Sequence, residues 1–408
     1  MRLCVVTVGS EGDTRPLAAL CRGLLDRGHE VKLFADDSTL AVPRALGVPS
    51  EALQGNIKSI LPIGDPREKF RVSEAIRVGT KLKEFLSRNS TSWLRTVGEH
   101  AARSDAILFG SLALGIGLTL REELRKLTVG LSFQPFAPTR EFCSPGMPPV
   151  ALPGWLNLWT HRFMHRQLWS LCAAGASKAR REVFGTTPMT RPVYDFPVLC
   201  GISRELVRRP VDWPEDHIIC GHWCTPMDQW QAPQDLVDFI GDERPIYAGF
   251  GSPSAFVRRE ALSALIEAAA GRRVVFSPGW SNIDATVLPD NFFVARDVPH
   301  EWLFPRVSLA IHHGGSGTTH TAARAGVAQV IVPFGSDQFF WAARVAARGA
   351  APRVSRRGAR NWAALKEMIE FALLERTQQQ ARALGEALSG EQGVRTAVEH
   401  IEAWVTRW

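Results

Sequence analysis

Short apolar runs that end in a glycine turn and open into a helical stretch recur along this chain, and their alternation restricts the fold more than any other feature. Residues 3–8 read as a strand, 14–27 as an amphipathic helix ending at "RGH", and 30–35 as a second strand. "AILFG" at 106–110 and "TVGLSF" at 128–133 continue the series. After a stretch in which prolines punctuate polar residues, a second series begins at "PIYAGFGS". It runs through "RVVFSPG" and "FFVARDVPHEWLFPRVSLAIHHGG" to "VAQVIVPFGSDQ". Strands alternating with helices predict parallel sheets covered on both faces. A chain of 408 residues accommodates two such domains. The expected division is 1–206 for the first domain, 207–240 for a connector and 241–385 for the second domain. A final helical segment, 386–408, is expected to cross back to the first.

Two doubly wound, Rossmann-like domains leave a cleft at the carboxyl ends of their strands, where ligands bind. Three glycine-bearing strand exits face it in this reading: "VTVGSEGD", "GFGSPS" and "IHHGGSGTT". The last opens directly onto the alanine-rich helix "TTHTAARAG". Helix-start N–H groups lack internal partners and the macrodipole is positive there, so an anion such as a phosphate is favoured. The plainer reading is a loop that needs glycine for its geometry; three such exits at equivalent positions favour a diphosphate-bearing ligand.

Composition narrows the field. With 45% hydrophobic and 22% charged residues the chain has a globular make-up. Its net charge of +7 suits an anionic partner. Lysines and arginines are scattered, however, and no common nucleic-acid-binding signature is present, so a phosphate-bearing ligand or an acidic membrane surface fits better than nucleic acid. The apolar run "MRLCVVTVGS" is too short for a membrane span and lacks a small-residue cleavage site, which predicts a cytoplasmic protein. Seven cysteines, an odd number, do not suggest a disulfide framework. "CGHWC" at 220–224 has no second ligand pair at zinc-finger spacing, so buried thiols are expected there rather than a metal.

These residues resemble a known group. "GSEGDTRPLAAL", "DWPEDHIICGHW", "YAGFGS", "VPHEWLFPRVSLAIHHGGSGTTHTAARAG" and "VIVPFGSDQFFWAARV" look like GT-B glycosyltransferases of the nucleotide-sugar-dependent (UDP-glycosyltransferase) superfamily. The branch they look most like holds the sterol 3β-glucosyltransferases and the glycopeptide-antibiotic glucosyltransferases. The resemblance implies a GT-B fold and a nucleotide-sugar co-substrate, UDP-glucose first and a dTDP-sugar as the alternative, with no resident cofactor. It implies a diphosphate site at His312, Gly315, Ser316, Gly317, Thr318 and Thr319, with Ser252 of "GFGS" approaching the same group. Asp337 and Gln338 match the pair that binds hexose hydroxyls. Plant members carry a glutamate eight residues after the phosphate histidine to grip the ribose, where this chain has His320. They also carry a catalytic histidine after the first strand, where this chain has Asp13. His313 reads as structural.

Sugar transfer to a hydroxyl needs a base and a means of stabilising the departing diphosphate. Asp13 is the candidate base; before "TRP" it reads equally as the cap of a helix beginning near Pro16. The helix start at Thr318 and His312 would stabilise the leaving group. No Asp-x-Asp motif of metal-dependent sugar transferases occurs, so a metal-independent, inverting reaction is expected. Phe136, Trp155 and Trp159 are the candidate contacts to an apolar hydroxylated acceptor such as a sterol, a lipid or a polyketide or peptide natural product. The segment 140–185 that carries the two tryptophans suits such a pocket, a membrane surface or plain packing. A nucleotide-sugar epimerase on this fold and an inactive, lipid-binding or partner-activating homologue are the competing readings.

Overall fold

The computed structural model describes residues 1–60, 72–189, 192–227, 230–251, 259–279, 288–354 and 362–408. The first half runs β1 (Arg2–Val6), α1 (Glu11–Asp26), β2 (Glu30–Asp36), α2 (Ala41–Ala45), β3 (Ser50–Leu53), α3 (Val72–Ala101), β4 (Ala106–Gly110), α4 (Leu114–Leu124), β5 (Leu127–Ser132), α5 (Gly154–Phe184), β6 (Val198–Cys200) and β7 (His217–Ile219). The second runs α6 (Gln234–Ile240), β8 (Ile246–Gly249), α7 (Arg259–Ala269), β9 (Val274–Ser277), β10 (Phe292–Val294), α8 (His300–Leu303), β11 (Leu309–His312), α9 (Ser316–Arg324), β12 (Ala328–Ile331) and α10 (Gln338–Ala347). It ends with α11 (Leu365–Leu373), α12 (Glu375–Ser389) and α13 (Gly393–Arg407).

The strands form two sheets, of order β3-β2-β1-β4-β5-β6-β7 and β10-β9-β8-β11-β12. Every pairing is parallel. Burial on both faces explains why the strands read as unbroken apolar runs: β1, β4 and β5 are buried almost throughout. In each sheet the strand order reverses once, between β1 and β4 and between β8 and β11. A crevice opens at such a point because neighbouring connections leave to opposite faces.

Two expected boundaries are corrected. The stretch 207–240 is not all connector, since β7 completes the first sheet while Leu236 and Ile240 of α6 are buried with Tyr247 and Val275 of the second domain. The prolines there flank elements too short to show a period. The segment crossing back starts at α13. Its Ala397, Val398 and Ile401 close the first domain's core against Leu17, Leu20 and Trp223, and Glu402 pairs with Arg27 and His29. Helix α12, which straddles residue 385, packs instead on α9 and β12.

Between α12 and α13, Glu391 accepts hydrogen bonds from Ser203 Oγ and Arg204 N, both at 2.9 Å, and approaches His222 N at 3.4 Å. Arg324 of α9 donates to the carbonyls of Leu388, Ser389 and Glu391. Substitution Glu391→Ala strands several donors at this seam and is expected to cost about 1–3 kcal/mol, read as a lowered midpoint in thermal or urea unfolding.

Candidate active site

The first-domain wall of the cleft is the β1 exit. Ser10 caps α1, its hydroxyl accepting from Gly12 N, while Asp13, the third helical residue, accepts from Ser10 N at 2.8 Å. The reciprocal pair is a capping box, so the helix begins at Glu11 and not near Pro16. Asp13 is thus a box partner and not the cap itself. Both Ser10 contacts use Oδ2, leaving Oδ1 without a hydrogen bond among the described residues. Gly9 is required beside it, because a Cβ there would overlap the Asp13 carboxylate. Burial raises the Asp13 pKa to about 6; the Ser10 hydrogen bonds oppose the rise, and the charge of Asp337 from the other domain adds to it.

The opposite wall is built on β8, β11 and β12. At the β8–β11 reversal the imidazole of His313 lies between two glycines, Gly251 after β8 and Gly315 at the N-cap of α9. A Cβ on either would collide with the ring. Gly251 also has φ +58°, which glycine adopts without strain. Gly315 supplies no side-chain cap, and Ser316, Gly317 and Thr318 begin α9 partly exposed. Their backbone N–H groups form the open positive end of a nine-residue helix. His313 is partly exposed, and its Nδ1 is buried without a partner among the described residues. Burial pulls its pKa down to about 3, so the ring is neutral.

His312 does not occupy the place expected of it. It is fully buried, its Nε2 hydrogen-bonds Gln329 Oε1 at 2.9 Å, and its Nδ1 accepts from Gly314 N at 3.1 Å. With both nitrogens engaged it braces the loop from behind and has none for a ligand. Adjacent strand residues face opposite sides, so the exchange of roles with His313 follows from β11 geometry. Thr319 is likewise fully buried on the core side of α9 and is corrected from the set of phosphate contacts. His320, also buried, hydrogen-bonds Ser316 O through Nδ1, stacks on His222 and meets Trp341 edge-on. It is a packing residue at the domain seam, where His222 Nε2 contacts Thr321 Oγ1 at 3.2 Å. Ser252 lies outside the described residues.

After β12 the chain turns through Ser336, a non-glycine residue at φ +55°, a conformation tolerated where surrounding structure imposes it. The turn delivers Asp337 and Gln338 to the start of α10. Asp337 Oδ2 accepts from Trp341 Nε1 at 2.9 Å, and burial raises its pKa. Gln338 Oε1 accepts from Phe334 N and Gly335 N, which leaves its amide NH₂ as the group free to donate. Two further charged or titratable groups were not singled out in the sequence. His300, at the start of α8, hydrogen-bonds Tyr247 Oη at 2.8 Å, and its pKa is lowered to about 3 by burial and then by the charge of Arg15, a residue of α1.

The expected acceptor contacts are not brought together. Phe136 is packed inside the first domain, stacked on His165 and beside Phe196, and the gap it lines is only about 10 Å³. Trp155 and Trp159 are 67% and 52% exposed, because the rotation of α5 is set by other residues. Asn157 donates to Arg140 O, Thr160 Oγ1 accepts from Ser144 N and His161 meets Phe142 O. Phe142, in the proline-rich loop, reaches the second domain, where it packs on Phe340 and under the Arg344 guanidinium. The "CGHWC" thiols hydrogen-bond to backbone carbonyls, and among the described residues no group of three His, Cys, Asp or Glu side chains is placed to hold a metal ion. Nor, among them, is any helix long and apolar enough to cross a membrane.

Two doubly wound parallel sheets whose reversal points carry facing polar groups define the GT-B fold class. Solved glycosyltransferases share it over almost the whole chain. SsfS6 of Streptomyces sp. SF2575 aligns with TM-score 0.64 and 18% identity over 98% of this chain and 99% of its own. The spinosyn rhamnosyltransferase SpnG, complexed with thymidine diphosphate, aligns with TM-score 0.67 and 19% identity over 98% and 100%. Residues 267–387 match the family described as "Erythromycin biosynthesis protein CIII-like, C-terminal domain". Sterol 3-beta-glucosyltransferases of Neurospora crassa and Cryptococcus neoformans are 29% and 28% identical over 98% of this chain. The chain spans only 27% of the length of these two relatives.

Proposed function

We propose that the protein is an inverting glycosyltransferase that moves a hexose from a nucleoside diphosphate to a hydroxyl of an apolar acceptor. The observation that carries the reading is the approach of α1, which holds Asp13 with its raised pKa, to α9, whose uncapped start lies beside His313. A base and an anion site on opposite walls of one cleft are what in-line displacement requires. The acceptor hydroxyl loses its proton to the Asp13 carboxylate as its oxygen attacks the anomeric carbon. The bond from that carbon to the phosphate oxygen breaks, and the diphosphate departs with the electron pair toward the N–H groups of Ser316, Gly317 and Thr318 and the neutral ring of His313. Preorganised donors of this kind contribute several kcal/mol to such a step. Asp337 and the Gln338 amide are suited to hexose hydroxyls, glucose first.

Incubation of the protein with UDP-glucose or dTDP-glucose and a panel of sterols, hydroxylated lipids and polyketide aglycones, with products read by mass, tests the proposal. Hydrolysis or epimerisation of the donor with no glycoside formed would sink it. The leaving group is served by a helix terminus and a histidine, so transfer is expected to proceed undiminished in excess chelator. Loss of turnover restored by magnesium would refute the metal-independent step.

A further inference from the structure

Helix α5 carries a surface that the cleft does not use. Trp155, Trp159, Arg162, Phe163 and Arg166 fall within a stripe about 100° wide at the helical spacing, opposite the Asn157, Thr160 and His161 anchors. Trp159 stacks on Phe163 with ring centroids 5.4 Å apart and planes 13° apart, so the exposed aromatic face is continuous. Arg162 and Arg166 are exposed, and neither has an acidic partner among the described residues. The sequence offers none nearby, since no aspartate or glutamate occurs between Glu141 and Glu182. Elsewhere in the first domain some arginines are held by carboxylates, as Arg121 by Asp195 and Arg180 by Glu122 and Glu123, whereas this face of α5 has none to offer. Two exposed tryptophans beside two solvated, unpaired guanidiniums make this face amphipathic, with apolar rings and cationic heads side by side.

We propose that this stripe of α5 docks the protein on the headgroup layer of an anionic lipid bilayer. Tryptophan rings, apolar in body with a polar N–H, settle at headgroup depth. Arginines four residues apart on the same face meet the phosphodiesters, and the net charge of +7 supplies the longer-range attraction. Charge complementarity selects this occupant over a second copy of the chain, which would set the same unpaired arginines against each other in a two-fold contact. The proposal goes beyond the transfer reaction and stands or falls separately from it.

The test is co-sedimentation of the full chain with phosphatidylcholine vesicles, with and without phosphatidylglycerol, at low ionic strength. Binding is expected only to the anionic vesicles and is expected to weaken as salt is raised. Arg162→Gln with Arg166→Gln should weaken it roughly thirtyfold, and Trp155→Ser with Trp159→Ser tenfold or more. Lys366→Gln with Arg376→Gln, which removes the same charge from the second domain, should leave it nearly unchanged. Thermal melts show that each variant is folded, and the arginine pair decides the matter if the tryptophan pair is not. Equal binding to neutral vesicles, no binding, or equal loss in the second-domain control would overturn the proposal. So would self-association in sedimentation velocity that Trp155→Ser with Trp159→Ser abolishes while vesicle binding is unchanged.

Discussion

Asp13→Asn is expected to keep the fold and donor binding while turnover falls by about a hundredfold or more, the range for removal of a positioned general base. The substitution discriminates because Asn preserves the local structure: its Oδ1 can still accept from Ser10 N, so the capping box that starts α1 survives. What it removes is the proton acceptor. The wild-type rate should rise with pH and level off above about pH 6, where the carboxylate ionises, and this limb should vanish in Asp13→Asn. Stability should move the other way. A carboxyl whose folded-state pKa is raised stabilises the fold below its unfolded value, and that contribution is lost as pH rises through about 6. The Asn variant should therefore be no less stable than wild type at pH 7.5. A variant that transfers sugar at near wild-type rate would reduce Asp13 to a capping residue.

The adjacent histidines should separate cleanly. His312→Ala opens a cavity in a fully buried site and leaves the Gln329 side chain and Gly314 N without their partner, a loss of about 2–4 kcal/mol visible in urea unfolding. His313→Ala empties the space between Gly251 and Gly315 and should change stability little. Donor turnover should fall ten- to a hundredfold, with weakened nucleoside diphosphate binding by calorimetry. A His313→Ala protein with unaltered donor binding and turnover would remove the residue from the diphosphate site. The same conclusion would follow if His312→Ala were stable and selectively impaired in donor use.

The alternation of apolar runs and glycine turns was enough to read two doubly wound sheets, because a strand buried on both faces must be apolar along its length and a parallel connection must carry a helix. The strand exits were legible for the same reason, and with them the α9 start; Asp13 and the Asp337–Gln338 pair were singled out by the family resemblance. Local sequence carries these features because turn geometry and helix starts depend on a few neighbouring residues. The distinction between His312 and His313 is of another kind. One ends β11 and the other follows it, and which ring turns away from the core depends on Gly251, Gln329 and the register of β11 between β8 and β12. The tryptophans of α5 and Phe136 were likewise visible only as a composition. Their exposure or burial was decided by Asn157, Thr160 and His161 gripping a loop 16–19 residues away. The return of the C-terminal segment was expected, but its start at residue 393, like the place of residues 217–219 in the first sheet, was decided by packing: apolar surface left open by that domain is covered by chain distant in sequence, and a contact between distant residues leaves no period along either.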